Sequence, residues 1–405
     1  MSAASHISRP VVIAAYEFPP DLGGTGEMSA ALATGLAARG WSVTVVTREN
    51  SGALLDEQWP FPVYRWLPRE PRGAPGNLMR FLRIMDLTRR MRALEARENA
   101  GYVLVTETLR LRGLAGAAMT KALASGAART GVLFHGMDLI QLPAMKRGKR
   151  WLYRRTLRSF DDLYTNSLFT AECARLELGE ERSPMPIGCG VTPQKLPEPM
   201  NKDTARQRLG VNGDPLLLTV ARLAPRKGVD RTIEALPQIR ARFPGVQYIV
   251  AGDGPDRSRL EKLAEAQGCK DCVHFLGNFS DAEKGALYSA ADVFVMPCRL
   301  IPSRSVEGFG IVFLEAGYYG VPVVAGCSGG VPDAVRANET GLLVAPEYPD
   351  DIARAVLELF QDPERARRMG QRGRERVQSE LTWDHVVQRL ERHLLAGLRS
   401  RADVL

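Results

Sequence analysis

The chain of 405 residues is 45% hydrophobic and 25% charged, which is typical of a globular protein and long enough for two domains. No apolar run approaches the roughly 20 residues of a membrane-spanning helix, and the N-terminal MSAASHISRP lacks the apolar core of a secretion signal. Six cysteines without framework spacing favour a reducing compartment. These features predict a cytoplasmic protein, or one that touches a membrane only at its surface.

Taken in chain order, the first half alternates strand-like apolar runs with amphipathic helices, which predicts a parallel sheet with helices on both faces. The first helix is predicted over 26–39 and ends at Gly40, because glycine commonly terminates helices. The predicted strands of this half are VVIAAYEF (11–18), SVTVVT (42–47), VLVTET (103–108), TGVLFHG (130–136) and DLYTNS (162–167).

A segment with five prolines, 183–202, interrupts this pattern and is typical of a linker. The alternation then resumes, which predicts a second doubly wound sheet and a cleft at the C-terminal strand ends. The predicted strands are LLLTVARL (216–223), QYIVAGDG (247–254), CVHFLGNF (272–279), DVFVMPC (292–298), VPVVAG (321–326) and TGLLV (340–344). The predicted fold is therefore α/β with two Rossmann-like domains, 1–190 and 191–378, and a terminal helix within 379–405 that can pack back on the first domain.

The loop after the first strand contains an incomplete dinucleotide-binding fingerprint. Gly24 and Gly26 have the spacing of its first two glycines, but Ser29 stands where the third belongs. Pro19 and Pro20 also separate this loop from its strand, whereas the fingerprint follows its strand almost at once. Both departures argue against a nicotinamide-dependent oxidoreductase.

Two polar residues follow the predicted strand TGVLFHG. His135 is placed at the C-terminal end of the sheet, where it could hydrogen-bond a sugar hydroxyl or carry a proton. Asp138 lies three residues further on. The alternative is a turn histidine without a role.

In the second half, SVEGFGIVFLEAGYYGVPVVAG combines two carboxylates with a glycine turn. Glu307 and Glu315 bracket a helix predicted to begin around Ile311, and the amide groups of a helix N-terminus bind anions. The carboxylates are placed to accept hydrogen bonds from sugar or ribose hydroxyls beside a phosphate. Upstream, Arg222 and Lys227 flank a strand-to-helix turn where cations would neutralise a diphosphate. The alternative is an ordinary solvated surface.

Several segments together resemble the donor-binding domain of retaining glycosyltransferases of family 4, whose fold is called GT-B. They are ARLAPRKG, VAGDGP, CVHFLGNF, ADVFVMPC and EGFGIVFLEAGYYGVPVVAG. The stretch MPCRLIPSRSVEGFGIVFLEA is especially similar to phosphatidylinositol-mannoside mannosyltransferases, and PP…GG in the first loop also matches the family.

This resemblance implies a role for each matching residue, with the second domain binding the donor and the first facing the acceptor. Arg222 and Lys227 would bind the diphosphate, Glu315 the ribose, and Glu307 and His135 the donor sugar. The implied catalytic residues are His135, Glu307, Arg222 and Lys227. The implied donor-binding residues are Gly23, Gly24, Arg222, Lys227, Gly254, Glu307, Gly308, Phe309, Gly310, Ile311 and Glu315. The acceptor side would include Thr25, Glu27 and Asp138.

The implied activity is transfer of a hexose from a nucleoside-diphosphate sugar with retained anomeric configuration. GDP-mannose is the first candidate donor and a UDP-hexose the second, while the acceptor is lipid-linked, a glycan or a small molecule. No residue is expected to act as a covalent nucleophile, and no permanently bound cofactor is expected. No metal is expected either, since no Asp-x-Asp element suited to one is present. The alternatives are a sugar-nucleotide epimerase, a phosphorylase and a non-catalytic nucleotide-sugar-binding protein.

The net charge of +8 adds a hypothesis about membranes. Residues 1–200 hold 26 Lys and Arg against 19 Asp and Glu, whereas the remainder is nearly neutral. The basic stretches 80–97 and 146–160 also carry apolar side chains, among them Trp151. They are either amphipathic helices packed on the sheet or a peripheral surface for anionic lipid at the inner membrane face. Nucleic-acid binding is disfavoured because no recognition module accompanies the charge.

Overall fold

The computed structural model describes residues 9–20, 23–49, 56–67, 77–107, 122, 129–211, 214–302 and 305–402. Most of MSAASHISRP and the end of VLVTET at Thr108 lie outside the described residues. The chain divides into two compact units, Met1–Gly188 with Trp383–Leu405, and Cys189–Thr382.

The first unit contains a parallel sheet that, within the described residues, has seven strands in the order β3-β2-β1-β4-β5-β6-β7. Its strands are β1 (Arg9–Ala14), β2 (Trp41–Arg48), β3 (Val63–Leu67), β4 (Tyr102–Val105), β5 (Arg129–Phe134), β6 (Asp162–Thr165) and β7 (Met185–Pro186). Its described helices before the second unit begins are α1 (Gly24–Ala38), α2 (Asn77–Glu98), α3 (Met137–Ile140), α4 (Arg147–Arg158) and α5 (Leu168–Leu178). The strand order reverses between β1 and β4, and this switch point is where open α/β sheets form a ligand crevice.

Two strands of this sheet were not predicted from the sequence. β3 is a half-exposed edge strand, so it lacks the continuous apolar run of a strand buried on both faces. β7 has two residues, Met185 and Pro186, and pairs with β6 inside the proline-rich segment 183–202. The start of that segment therefore belongs to the first sheet, and the linker interpretation was wrong for these residues.

The second unit contains a parallel sheet of six described strands in the order β10-β9-β8-β11-β12-β13, with its switch point between β8 and β11. Its strands are β8 (Leu216–Val220), β9 (Gln247–Ala251), β10 (Val273–Gly277), β11 (Val293–Met296), β12 (Val323–Gly326) and β13 (Gly341–Val344). Its helices are α6 (Lys202–Leu209), α7 (Val229–Arg240), α8 (Arg257–Ala266), α9 (Asp281–Ala290), α10 (Ile311–Tyr318), α11 (Val331–Ala334), α12 (Pro349–Gln361) and α13 (Pro363–Glu380). Residues of β8 and β11 are fully buried because helices cover both faces.

The last helix, α14 (Trp383–Ala402), belongs to the first unit. It packs closely on α1, since a side chain at Gly35 would come within 2.5 Å of Val387. Polar contacts add to this packing, because Nε1 of Trp41 donates to Glu391 at 2.9 Å. Nδ1 of His393 lies 3.0 Å from the hydroxyl of Tyr164.

Candidate functional site

The N-terminus of α10 is shaped by glycines. Gly310 precedes the helix at φ 97°, a conformation that favours glycine, and a Cβ there would lie 2.5 Å from the Phe313 ring. Gly329, at φ 58°, would overlap the carbonyl oxygen of Glu307 if it had a side chain. Gly330 donates its N–H to the same oxygen at 2.9 Å. The turn before α10 is thus fixed, and the partial positive charge of the helix N-terminus faces the end of the sheet.

Glu307 lies in this turn with two cations beside its carboxylate. Nζ of Lys227 donates to Oε2 at 2.6 Å, and Nε of Arg226 lies 3.7 Å from the same oxygen. Burial opposes ionisation, but Lys227 and Arg226 outweigh it, so the pKa of Glu307 lies below its usual value. Glu307 is therefore an ionised hydrogen-bond acceptor rather than a proton donor.

The turn that carries these cations is bound directly to the end of β11. A side chain at Gly228 would overlap the carbonyl oxygen of Pro297, so the two segments are in main-chain contact. Arg299, after β11, donates its N–H to the carbonyl of Arg226 at 2.9 Å. Its guanidinium forms a buried bidentate pair with Asp230 of α7 at 3.0 and 2.8 Å. This pair fixes the Lys227 turn relative to the loop that leads to Glu307.

Glu315, on α10, is nearly buried and accepts a hydrogen bond at each carboxylate oxygen. Nζ of Lys284 donates to Oε1 at 3.0 Å, and the hydroxyl of Tyr288 donates to Oε2 at 2.7 Å. Burial and the Glu315 charge raise the pKa of Tyr288 well above its usual value, so its O–H remains a donor. Both donors lie four residues apart on one face of α9.

Arg222 and Gly254 occupy the loops after β8 and β9. The Arg222 side chain is exposed and forms no hydrogen bond or ion pair with a described residue. Gly254 lies against the main chain of Leu223, and a Cβ there would overlap the Leu223 carbonyl. Gly254 therefore allows the two loops to pack at the same edge of the sheet.

In the first unit, His135 directly follows β5. Its Nε2 lies 2.6 Å from the carbonyl oxygen of Thr106, the first residue after β4. Its main-chain N–H donates to the Asp138 carboxylate at 3.2 Å, so Asp138 closes the turn into α3. The structure thus places His135 at the carboxyl end of the sheet, one strand from the β1–β4 switch point.

The glycine loop of the first unit leads into α1. Gly23 and Gly24 are exposed, and Gly23 has the extended backbone that any residue can adopt, with φ 160°. The hydroxyl of Thr25 donates to the Glu17 carboxylate, and Glu27 is an exposed residue of the first helical turn. The loop, His135 and Thr106 therefore lie at strand ends of the same sheet.

Two family models match the chain. The model described as "Glycosyl transferases group 1" covers residues 201–376, and "Glycosyltransferase Family 4" covers residues 22–195. A GDP-mannose-dependent alpha-(1-6)-phosphatidylinositol monomannoside mannosyltransferase of Mycobacterium tuberculosis is 34% identical over 392 residues, which are 94% of this chain and 96% of that protein. The chain belongs to the family-4 glycosyltransferases.

Solved structures show the same architecture for this glycosyltransferase. Sucrose-phosphate synthase from Thermosynechococcus elongatus has a TM-score of 0.78 and 25% identity, covering 96% of this chain and 100% of that one. Anabaena HepE, solved with UDP and glucose, has a TM-score of 0.75 and 20% identity, covering 95% and 98%. The predicted α/β fold of GT-B type, with two Rossmann-like domains, is confirmed.

The structure of the glycosyltransferase adds residues that the sequence reasoning missed. Arg226, which the sequence reasoning did not single out, lies beside Glu307 in the structure. Lys284 and Tyr288 were not recognised, although their spacing on one helix face was a usable signal. The contact between Ser29 and Thr106, whose hydroxyl oxygens lie 2.8 Å apart, gave no such signal, because the two residues are 77 positions apart in the sequence.

The basic stretches lie in helices α2 and α4, and each helix has both buried and exposed apolar side chains. In α4, Tyr153 and Leu157 are buried, whereas Trp151 is 61% exposed with the Arg155 guanidinium 5.6 Å from its ring centroid. In α2, Leu82 and Met85 are about half exposed. None of the described helices has the length and apolarity needed to cross a bilayer.

Proposed function

We propose that this glycosyltransferase moves a hexose from a nucleoside-diphosphate sugar, GDP-mannose as first candidate, to an acceptor hydroxyl with retained anomeric configuration. The acceptor is a lipid-linked, glycan or small-molecule hydroxyl. The observation that carries the proposal is the Lys227–Glu307 pair fixed beside the N-terminus of α10. The name of the mycobacterial relative, similar over nearly the whole chain, supports the choice of donor.

In the proposed reaction, the second unit holds the diphosphate by charge. The amides at the start of α10 and the cations Lys227, Arg226 and Arg222 would stabilise the negative charge that develops on the leaving group. Glu307, kept ionised by its neighbours, would accept hydrogen bonds from donor-sugar hydroxyls. Gly254 and Gly308 would let the main chain approach the nucleotide.

Glu315 is proposed to bind the ribose hydroxyls. Lys284 and Tyr288 occupy one position on each of its oxygens, and a carboxylate oxygen has a second lone pair for another donor. Their role is to orient the carboxylate before the ribose arrives.

Retention is proposed to proceed without a covalent enzyme intermediate. The bond from the anomeric carbon to the diphosphate breaks, the bond to the acceptor oxygen forms on the same face, and the acceptor proton passes to the departing diphosphate. Cys298, whose thiol lies 4.0 Å from Glu307, does not offer a nucleophile, since burial and the neighbouring Glu307 raise its pKa to about 12. His135, Gly23 and Gly24 are proposed to contact the donor sugar. The proposed acceptor side includes Thr25, Glu27 and Asp138.

A thermal-shift panel of GDP-, UDP- and ADP-sugars tests the donor, because a ligand that binds only the folded protein raises Tm. Stabilisation by GDP-mannose, followed by transfer to a lipid or glycan hydroxyl with an unchanged anomer by NMR, is the expected result. Stabilisation by a UDP-hexose alone would select the second candidate donor. Conversion of the sugar without transfer would indicate an epimerase, and binding without turnover a non-catalytic protein.

Metal independence is part of the proposal, because the cations of the second unit would neutralise the diphosphate as a metal ion does in other transferases. Among the described residues, no group of three or more His, Cys, Asp or Glu side chains is placed to hold a metal ion. Transfer should therefore persist in EDTA. Complete loss that added metal reverses would overturn this part.

The exposed Trp151 and the arginines of α4 support a proposed peripheral contact with anionic membranes. Co-sedimentation with anionic vesicles at low salt, weakened in Trp151→Ser, is the expected result. Absence of binding, with full activity on a soluble acceptor, would exclude such a contact.

A further inference from the structure

The loop that follows β1 is held from β3, the edge strand that was not predicted from the sequence. Nη2 of Arg65, in the middle of β3, donates to the carbonyl oxygen of Pro19 at 2.8 Å. β1 and β3 are not neighbours in the sheet, since β2 lies between them. The contact therefore fixes the loop in a way that the strand pairing of β1 does not. Gly23 and Gly24 follow Pro19 in the chain.

Arg65 is itself fixed by an ion pair with Asp56. Its Nε donates to Oδ2 at 2.8 Å and its Nη2 to Oδ1 at 2.7 Å, and the Arg65 side chain is only 7% exposed. The two charges neutralise each other, so the guanidinium acts here as a rigid hydrogen-bonding fork rather than as a site for an anion. Lysine has a single ammonium group and does not reproduce this fork.

An aromatic contact holds the same loop beside the ion pair. The ring of Trp59 lies 5.1 Å from that of Phe18, which is fully buried. The main-chain N–H of Trp59 donates to the Asp56 carbonyl at 3.2 Å, so one short segment supplies both the aromatic ring and the carboxylate. Residues before Gly23 are thereby held firmly, which compensates for the freedom of the glycine backbone.

We propose that Arg65 is a positioning residue, which through Pro19 holds Gly23 and Gly24 where the proposed reaction needs them. Asp56 is its partner in this role, and neither side chain contacts the substrate. This deepens the proposed function and rests on it for the sugar that approaches the two glycines. The effect of Arg65 on the order of the loop is independent of that function.

Arg129 provides a matched control in the same sheet. Its guanidinium forms a bidentate pair with Asp162, at 2.8 Å for both contacts, and donates to a main-chain carbonyl, that of Gly397, at 3.2 Å. Arg129 and Asp162 are the first residues of β5 and β6. The pair therefore lies at the amino ends of the strands, opposite to the glycine loop, so the two arginines have the same chemistry at opposite edges of one sheet.

Amide hydrogen exchange of peptides that cover residues 17–28 tests the positioning directly, in the full chain without substrate. One reporting amide is that of Glu27, which donates to the Gly23 carbonyl at 3.0 Å. Arg65→Met should increase exchange in this segment roughly tenfold, the size expected for a lost hydrogen bond to a charged group, whereas Arg129→Met should not. Unchanged exchange in Arg65→Met would overturn the inference whether or not the protein transfers sugar. If exchange increases but no nucleotide sugar is used, only the proposed function fails.

Kinetics test whether the held loop matters for transfer. We expect kcat per folded molecule of Arg65→Met to fall roughly tenfold, since small misplacements of reacting groups have effects of this size or larger. KM for the nucleotide sugar should stay near its wild-type value, because the proposed diphosphate site lies in the second unit. Arg129→Met should lose comparable stability in urea but keep the wild-type kcat. Equal values of kcat in the two variants would show that Arg65 is only a structural residue.

Arg65→Lys keeps a positive charge beside Asp56, so it serves as the test even if Arg65→Met does not fold. An ammonium cannot form the bidentate pair with Asp56 and bond Pro19 with the same geometry. Exchange and kcat should therefore change together, each by no more than in Arg65→Met. Wild-type values of both, or a change in only one of them, would overturn the proposal.

Discussion

The strand ends of the two units differ in the chemistry that holds their polar residues. In the second unit, Lys227 and Glu307 form an ion pair at 2.6 Å beside a helix N-terminus. In the first unit, His135 is held by a main-chain carbonyl, and Ser29 and Thr106 are joined through neutral hydroxyls. Charges attract a diphosphate strongly, whereas neutral hydrogen bonds fix direction with little net attraction. We therefore expect the second unit to determine donor binding and the first to determine turnover.

Lys227→Met should have the largest effect, because it removes a cation from the proposed diphosphate site and leaves Glu307 with a weaker partner. We expect kcat/KM to fall by about 10²–10³ and stabilisation by the nucleotide to decrease. Steady-state kinetics and thermal shift measure both. Lys270→Met is the control, since Lys270 pairs with Glu265 on the exposed surface of the same unit, and it should have almost no effect. Equal losses in the two variants would contradict the charge-based role.

Gly24→Val tests the other half of the comparison. Gly24 is exposed and part of α1, so a side chain is compatible with the fold but should block the approach of the sugar. We expect kcat to fall by roughly 10², while calorimetric affinity for the nucleotide alone stays near wild type. The kcat of Gly24→Ala should lie between those of the wild type and Gly24→Val. Loss of nucleotide affinity in Gly24→Val would show that the first unit also holds the nucleotide.

Gly310→Ala should disturb the N-terminus of α10 through both backbone strain and contact with Phe313. Gly320, just after the same helix, also has a positive φ of 73°, but a Cβ added there would have nothing within 4 Å. Gly320→Ala should therefore cost only the backbone term of about 1–2 kcal/mol. Urea unfolding should show a larger loss for Gly310→Ala, together with weaker nucleotide binding. Similar losses of stability in the two variants would mean that the Phe313 ring can move away from the added methyl group at no cost.

Tyr288→Phe removes one of the two donors that orient Glu315. We expect KM for the nucleotide sugar to rise roughly tenfold, the size of a lost hydrogen bond to a carboxylate, with kcat nearly unchanged. Tyr319→Phe is the control, because Tyr319 stacks on Tyr288 but donates its hydroxyl to the Pro197 carbonyl. An equal rise in both variants would assign the effect to packing.

The smallest expected effect is on the pH dependence of stability. The pKa of Glu307 is lower in the folded protein than its usual 4.5, so its stabilising contribution is complete above 4.5 and is lost as pH falls through the folded pKa. Urea titrations should show a shallower loss of stability in this acidic range for Glu307→Gln than for the wild type. Parallel curves would indicate that the ion pair adds no pH-dependent stability.

Much of this site follows from local patterns in the sequence. Gly308 and Gly310 before an apolar run predict a turn and a helix start near Ile311, and the structure begins α10 at that residue. His135 was correctly placed after a strand because the apolar run of β5 ends at Phe134. The family and the GT-B fold were predicted from the same motifs and confirmed by the comparisons. The roles of the individual residues remain predictions.

The sequence by itself therefore determined the α/β class, the two sheets and the positions of polar residues at strand ends, because each depends on neighbours only a few residues away. Only the tertiary structure decided the partners. It placed Arg226 beside Glu307, and Tyr288 beside Glu315 on a different helix. It also paired Ser29 with Thr106 across 77 residues. Such contacts depend on strand order and helix packing, which local spacing does not encode.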